Sequence, residues 1–181
     1  MTEQTAPPGG VPGGTGVELA QVNVGRPIAP LTDPALAGFV AALEPVNALA
    51  DAAPGFVWRL QTEDGDATAV RVFDDDALIV NMSVWESLPA FSEFVFHGPH
   101  VEVMRRRREW FVPMREAITA LWWVPAGHRP SVAEAEARLL ALRAHGPTPY
   151  AFTLRQPFPP PGDPGDPGDV VMAPDDAECP A

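Results

Sequence analysis

The sequence predicts one α+β domain, in which an antiparallel sheet and its helices follow a ferredoxin-like order. Strand and helix patterns alternate between residues 17 and 157 as β, α, a β-meander, α and β. Two predicted strands, at 77–85 and 118–125, are apolar at most positions, which is typical of a sheet covered on both faces. The expected fold is therefore a ferredoxin-like sandwich with an antiparallel sheet.

Composition narrows the class of protein. Hydrophobic residues make up 46% of the 181 residues, which is enough for a single well-filled core. The net charge is −12, and no broad basic face is visible, so nucleic-acid binding is not expected. All 12 basic residues are arginine, which excludes a Schiff-base lysine.

Both ends of the chain have the composition of disordered segments. Residues 1–16 are rich in Gly, Pro and Thr, and residues 158–181 contain the repeat GDPGDPGD among many prolines. These two segments are predicted to be disordered tails, which confines the folded domain to 17–157. The single cysteine, Cys179, lies in the second tail, so no internal disulfide is expected. With no signal peptide and no apolar run long enough to span a bilayer, we expect a cytoplasmic protein without membrane contact.

The first half of the domain begins with a predicted strand at 17–25. Asp33 and Pro34 are an N-cap and first-turn proline pair that predicts the start of a helix. That helix is expected to be bent or broken near Pro45 and to end before Pro54. The meander that follows comprises strands at 56–61, 68–73 and 77–85, separated by acidic turns.

The second half continues with a helical region from Ser87, interrupted at Gly98 and Pro99 and resumed from 100 to about 114. A strand at 118–125 follows. Ser131 and Glu134 form a capping-box pattern for the last helix, which Gly146 ends. A short final strand, AFTLR, is expected at 151–155.

The apolar pattern of strands 77–85 and 118–125 leaves a second sheet face to be covered. The predicted helices suffice for one side only, so the simplest cover is a second copy of the sheet. The sequence therefore predicts a homodimer joined mainly through sheet faces.

Several motifs resemble known families. SVWESLPAF at 83–91, PGF at 54–56 and His100 resemble the strand-to-helix signature of the dimeric α+β barrel superfamily, which includes antibiotic-biosynthesis monooxygenases and heme-degrading monooxygenases. Over nearly all of 17–157 the chain more closely resembles the domain-of-unknown-function family 3291. The resemblance implies a dimeric α+β barrel. The segments that carry it are AQVNVGRPIAPLTDP, PGFVWRLQ, NMSVWESL, EVMRRRREWF and LWWVPAGHRPSVAEAEARL.

The helix that begins at His100 carries the first two candidate site residues. At about 100° per residue, His100 and Arg107 fall within roughly 20° of each other, inside the apolar stripe of the helix. A buried arginine needs an acidic partner, a bound anion or a wet cavity, because an unpaired ion loses its hydration. The alternative is an arginine that extends its head to solvent beside a structural histidine.

The first strand supplies the third candidate, Asn23, which shares a face with Gln21. Two amides on an otherwise buried strand either line a wet cavity or satisfy neighbouring backbone at an edge. Arg59 and Arg71 lie on adjacent meander strands, facing either the same cavity or solvent. The acidic turns lack the spacing of a calcium loop, so no metal site is expected.

The superfamily resemblance also implies a heme hypothesis. Heme-degrading members carry an asparagine on the first strand, a tryptophan early in the second helix and an iron-binding histidine near its end. Asn23, Phe94 and His100 occupy these places here, with phenylalanine in place of tryptophan and a Gly-Pro pair before the histidine. His100 is thus a candidate heme ligand. His97, directly before the Gly-Pro break, is expected in a loop.

Three functions remain open from the sequence. The first is a monooxygenase-like or isomerase-like enzyme acting on an apolar, aromatic or polyketide-like small molecule, with His100 as acid or base and Arg107 or Asn23 stabilising an oxyanion. The second is a non-catalytic ligand-binding or stress-related dimer. The third is a heme-binding protein that uses His100.

Overall fold

The computed structural model describes residues 16–61, 72–73, 75–97 and 100–162. Four strands and four helices follow one another in it, with a short 3-10 turn at Pro34–Leu36 before the first helix. The elements are β1 (Val17–Gly25), α1 (Ala37–Asp51), β2 (Phe56–Arg59), β3 (Ile79–Trp85), α2 (Leu88–Phe96), α3 (His100–Trp110), β4 (Thr119–Pro125) and α4 (Val132–His145). The strands form one antiparallel sheet in the order β2-β3-β1-β4, which confirms the ferredoxin-like α+β prediction.

The helix starts follow the predicted caps. The Asp33 carboxylate accepts from Ala35 N, the Ser87 hydroxyl from Ala90 N, and the Ser131 hydroxyl from Glu134 N. The reciprocal half of the capping box is wrong, because the Glu134 carboxylate is used elsewhere. It accepts from the Trp122 indole at 2.9 Å and contacts His128 Nε2 at 2.7 Å.

Helix ends depart from the predictions for identifiable reasons. Helix α1 continues through Pro45, because that residue lies on its exposed side and removes only one hydrogen bond. Helix α3 ends at Trp110 rather than near 114, since the next residues pair with the chain after β1. Phe111 forms a bridge with Pro27, and Val112 N donates to Arg26 O at 2.9 Å.

Two predicted strands are not confirmed. The final strand at 151–155 is wrong: Phe152 forms a single bridge with Leu121, after which the chain turns between Thr153 and Gln156. Most of the predicted strand at 68–73 lies outside the described residues.

The prediction that no helix covers the second sheet face is wrong, because α4 packs there. The residues of this face are at most 4% exposed in a single chain. They pack with Ala135, Leu139 and Leu142 of α4 and with Val72 and Leu78. The homodimer was predicted because the second face of the sheet was expected to be uncovered, and the structure removes that reason. The homodimer stays a prediction. The covered residues are Ala20, Val22, Val24, Val80, Met82, Val84, Ala120, Trp122 and Val124.

The packed chain continues past residue 157, where the sequence analysis ended the domain. Trp123 Nε1 donates to Phe158 O at 2.9 Å, and the rings of Phe152 and Phe158 lie 6.1 Å apart. A truncation that removes Phe158 would therefore remove part of the core. Within the described part of the chain, no helix has both the length and the apolar character needed to cross a membrane.

The role of α4 can be tested at two neighbouring leucines. Leu139 is fully buried against the sheet, whereas Leu140 is 51% exposed. We expect Leu139→Ala to lower the free energy of unfolding by about 2–5 kcal/mol, because it leaves a cavity under the helix. Leu140→Ala is the matched control and should change it by less than about 0.5 kcal/mol in urea denaturation. Equal effects of the two changes would show that α4 does not cover the sheet.

Candidate functional site

A cavity of about 490 Å³ lies between the other face of the sheet and helices α1, α2 and α3. Its walls are mostly apolar side chains from the three helices. Phe96 and Met104 line the cavity and are themselves 60% and 43% exposed, so the cavity opens between α2 and α3. A cavity of this size suits a small organic molecule.

The floor of the cavity is a polar strip on the sheet, made of Gln21, Asn23, Asn81, Ser83 and Thr119. Strand pairing brings these residues together: Asn23 is opposite both Asn81 and Thr119, and Gln21 is opposite Ser83. Gln21 and Asn23 share the face that lines the cavity, which is the first of the two alternatives left open by the sequence. The interpretation of 77–85 as apolar on both faces is wrong, because its two polar residues alternate onto the cavity face.

Hydrogen bonds within the polar strip fix its side chains. Gln21 Nε2 donates to Asn81 Oδ1 at 2.8 Å and to the Ser83 hydroxyl oxygen at 2.9 Å. The Trp85 indole N–H donates to the same hydroxyl oxygen at 2.9 Å. Asn23 Nδ2 donates to the Thr119 hydroxyl oxygen at 2.6 Å. The strip thus consists of two hydrogen-bonded groups, Gln21 with Asn81, Ser83 and Trp85, and Asn23 with Thr119, and these bonds hold its side chains in place.

Aromatic rings close both ends of the floor. At one end, Trp85 packs against Phe56, Phe91 and Phe94 with ring centroids 5.0–5.7 Å apart. At the other, Phe39 lies 5.8 Å from Trp110 and 5.0 Å from Phe111, measured between ring centroids. Flat ring surfaces at both ends favour an apolar, ring-containing ligand.

Arg107 is the charged group of special interest in the cavity. Its Nη2 donates to Val24 O at 3.3 Å, and its guanidinium carbon lies 5.6 Å from the Phe111 ring centroid. Within the described ranges no carboxylate forms an ion pair with it, so the predicted alternative of an acidic partner is not found there. Desolvation by burial lowers the pKa of Arg107.

Gly25 determines how closely α3 approaches the sheet. A Cβ atom at this position would lie 2.8 Å from Phe111 Cδ1 and 3.6 Å from Arg107 Nη2. The absence of a side chain therefore allows the Phe111 ring, and Arg107 beside it, to lie over the end of β1.

The other predicted residues have varied outcomes. His100 begins α3, but its side chain is not among those that the structure describes, and Arg71 lies wholly outside them. Arg59 lines the cavity rather than facing solvent, and it forms two hydrogen bonds with Asp51, at 2.8 and 3.2 Å. His97 is exposed at the end of α2, as predicted for a loop position, and pairs with the carboxylate four residues earlier.

Sequence reasoning missed the contribution of α1. Its residues Leu43, Val46 and Asn47 line the cavity, together with Phe39. The helix pattern alone could not show this, because the sequence does not say which face of the sheet a helix covers. A signal was present for the floor, since Asn81 and Ser83 interrupt an apolar strand at alternate positions.

The heme hypothesis rests on His100 alone. Asn23 and Phe94, the other two positions of that resemblance, both line the cavity. The described lining residues include no histidine, cysteine or tyrosine that could ligate iron. Likewise, no group of three His, Cys, Asp or Glu side chains suited to a metal ion occurs among the residues with described placement.

The fold and the site together define the class of protein, which is a small ferredoxin-like α+β domain with a cavity between its sheet and three helices. The chain belongs to the family described as "Domain of unknown function (DUF3291)", whose model matches residues 18–166. The resemblance to this family that the sequence motifs indicated is thereby confirmed. The chain matches no curated protein.

Two solved structures illustrate the structural likeness. One is SnoaB, a cofactor-independent oxygenase from Streptomyces nogalater, with 19% identity, a TM-score of 0.41, and coverage of 62% of this chain and 95% of SnoaB. The other is Rv0793 from Mycobacterium tuberculosis, with 15% identity, a TM-score of 0.41, and coverage of 63% and 99%. Similarity at this level does not transfer an activity or an assembly to this chain.

Arg107 is expected to contribute little to stability. Arg107→Met keeps the apolar stem and removes a half-buried charge, so its free energy of unfolding should stay within about 1 kcal/mol of the parent. Trp122→Ala, on the face covered by α4, should lose roughly 3–5 kcal/mol. Urea denaturation compares the two. A loss with Arg107→Met as large as that with Trp122→Ala would make Arg107 a structural residue.

The close approach at Gly25 predicts a contrast between two glycines. Gly25→Ala should destabilise the protein by about 1–3 kcal/mol, because the new methyl group displaces the Phe111 ring. At Gly38 in α1 the nearest atom to a Cβ is 3.5 Å away, an ordinary contact. Gly38→Ala should therefore be neutral or stabilise by up to about 1 kcal/mol, since alanine favours helix. Thermal melts of both variants check the contrast, and a tolerated Gly25→Ala would contradict it.

Proposed function

We propose that the cavity binds an apolar, ring-containing small molecule that carries an anionic oxygen, and that this oxygen lies against Arg107. The observation that supports this most is a half-buried guanidinium, without an ion-pair partner in the described chain, in a cavity whose walls are mostly apolar. An isolated buried charge is costly, and an anion that enters the cavity removes that cost.

The polar strip provides a second argument that the anion binds at this end of the cavity. Thr119 Oγ1 accepts from Asn23, so its own hydroxyl proton is available to a ligand. Thr119 and Asn23 lie two residues along the sheet from Gly25, over which Arg107 extends. A carboxylate, phenolate or enolate oxygen would meet a cation and a hydroxyl donor together.

Chemistry on the ligand is a further step of this proposal. A monooxygenase-like or isomerase-like reaction would develop negative charge on an oxygen, and Arg107 and Asn23 are suited to stabilise that charge. The described lining offers no carboxylate, imidazole or thiol as acid or base. For the enzyme hypothesis, His100 therefore stays the proposed acid or base.

Calorimetric titration of the full chain with 2-naphthoate at neutral pH tests the proposal. We expect saturable binding that Arg107→Met weakens tenfold or more, since hydrogen bonds to charged groups contribute about 1.5–3 kcal/mol. Arg108→Met, an exposed arginine of the same helix, is the matched control and should bind as the parent does. The proposal fails if the parent does not bind 2-naphthoate, or if Arg107→Met binds it equally well.

A further inference from the structure

Ser83 carries a hydroxyl proton for which the described protein offers no acceptor. Its oxygen accepts from the Trp85 indole and from Gln21 Nε2, both at 2.9 Å. An indole nitrogen can only donate, so the direction of the first bond is fixed. With two donors already on its oxygen, the hydroxyl can take part in a further hydrogen bond only as a donor.

The surroundings of Ser83 make this unused proton significant. Ser83 is only 7% exposed, and its neighbour Gln21 is 5% exposed. Both line the cavity, so the open direction from the hydroxyl leads into the cavity rather than to bulk solvent. A buried donor without an acceptor is unfavourable, and the acceptor must therefore come from whatever occupies the cavity.

Asn81 adds a second donor on the same strand. Its Oδ1 accepts from Gln21 at 2.8 Å, which leaves the Nδ2 hydrogens for another partner. Asn81 and Ser83 are two residues apart on the cavity face of β3, so they lie about 7 Å apart along the strand. Both groups therefore offer hydrogens to a ligand.

Ser83 is separate from the anion site, whereas Asn81 is opposite Asn23 and adjoins that site. Ser83 is paired with Gln21, four residues before Gly25 on β1, where Arg107 lies. Four residues of a strand span roughly 13 Å, so one ring system can bridge the two places. The aromatic rings around Trp85 lie beyond Ser83 and bound this end of the cavity.

We infer that Ser83 forms a second recognition point, which selects ligands bearing a neutral acceptor oxygen, such as a ketone or ester carbonyl, in addition to the anionic oxygen. The inference rests on the proposed function, because it concerns the same cavity. It narrows the ligand class to apolar ring acids with a carbonyl group remote from the acid. Ser83 would act in specificity, as a residue that touches the ligand.

Two probes of almost equal shape test this directly. In 6-acetyl-2-naphthoate the ring carries a carbonyl, and in 6-isopropenyl-2-naphthoate a CH₂ group replaces that oxygen. We expect the parent chain to bind the acetyl compound about tenfold more tightly in calorimetric titration. In Ser83→Ala the two affinities should become equal, while Arg107→Met should weaken both compounds alike and keep their ratio.

The ratio of the two affinities guards against a general distortion, because damage to the cavity weakens both probes together. Ser83→Cys is the second variant: it keeps the size with a weaker donor and should give an intermediate ratio. Equal binding of both probes to the parent, with loss in Arg107→Met, overturns the inference and leaves the proposed function standing. A ratio that persists in Ser83→Ala also overturns it. If neither probe binds the parent, both proposals fall.

Discussion

The central strand β1 imposes the constraint on which the rest of the molecule depends. It is paired on both edges, with β3 and with β4, so its register fixes which residues of three strands share a face. Its even-numbered residues from 20 to 24 are apolar and lie under α4, whereas Gln21 and Asn23 face the cavity. A shift of one residue would bury the amides under α4 and place valines on the cavity floor, so the core and the site are specified by the same alternation.

The two faces of the sheet have different physical roles, since one is an apolar core and the other is the polar floor of the cavity. The face under α4 is almost fully buried and supplies stability through burial of apolar surface. On the cavity face, hydrogen bonds among the polar groups satisfy part of their bonding capacity, which is how a sheet can tolerate amides and hydroxyls there. Arg107 departs from this pattern, because no carboxylate of the described protein pairs with its partly buried guanidinium. A partly buried charge without a counter-charge is unfavourable for folding and is typical of a binding site.

Much of the fold could be predicted because it depends on local patterns. Alternation in 17–25, the caps at Asp33, Ser87 and Ser131, and the order of elements all carry their own signals. The placement of α4 could not be predicted, since an amphipathic helix does not reveal which surface it will cover. Asn23 and Arg107 could be found because each is a polar residue within an apolar pattern. Ser83 was not, because its importance arises from two hydrogen bonds with residues that only strand pairing and side-chain rotamers bring to it.

The position of α4 also bears on how the molecule depends on its own concentration. In proteins whose sheets are covered by a partner, folding is coupled to association, and dilution favours unfolding by mass action. Here the covering residues Ala135, Leu139 and Leu142 belong to the same chain as the sheet they cover. Burial of this sheet face is therefore completed within one chain and does not itself require a second copy of the protein.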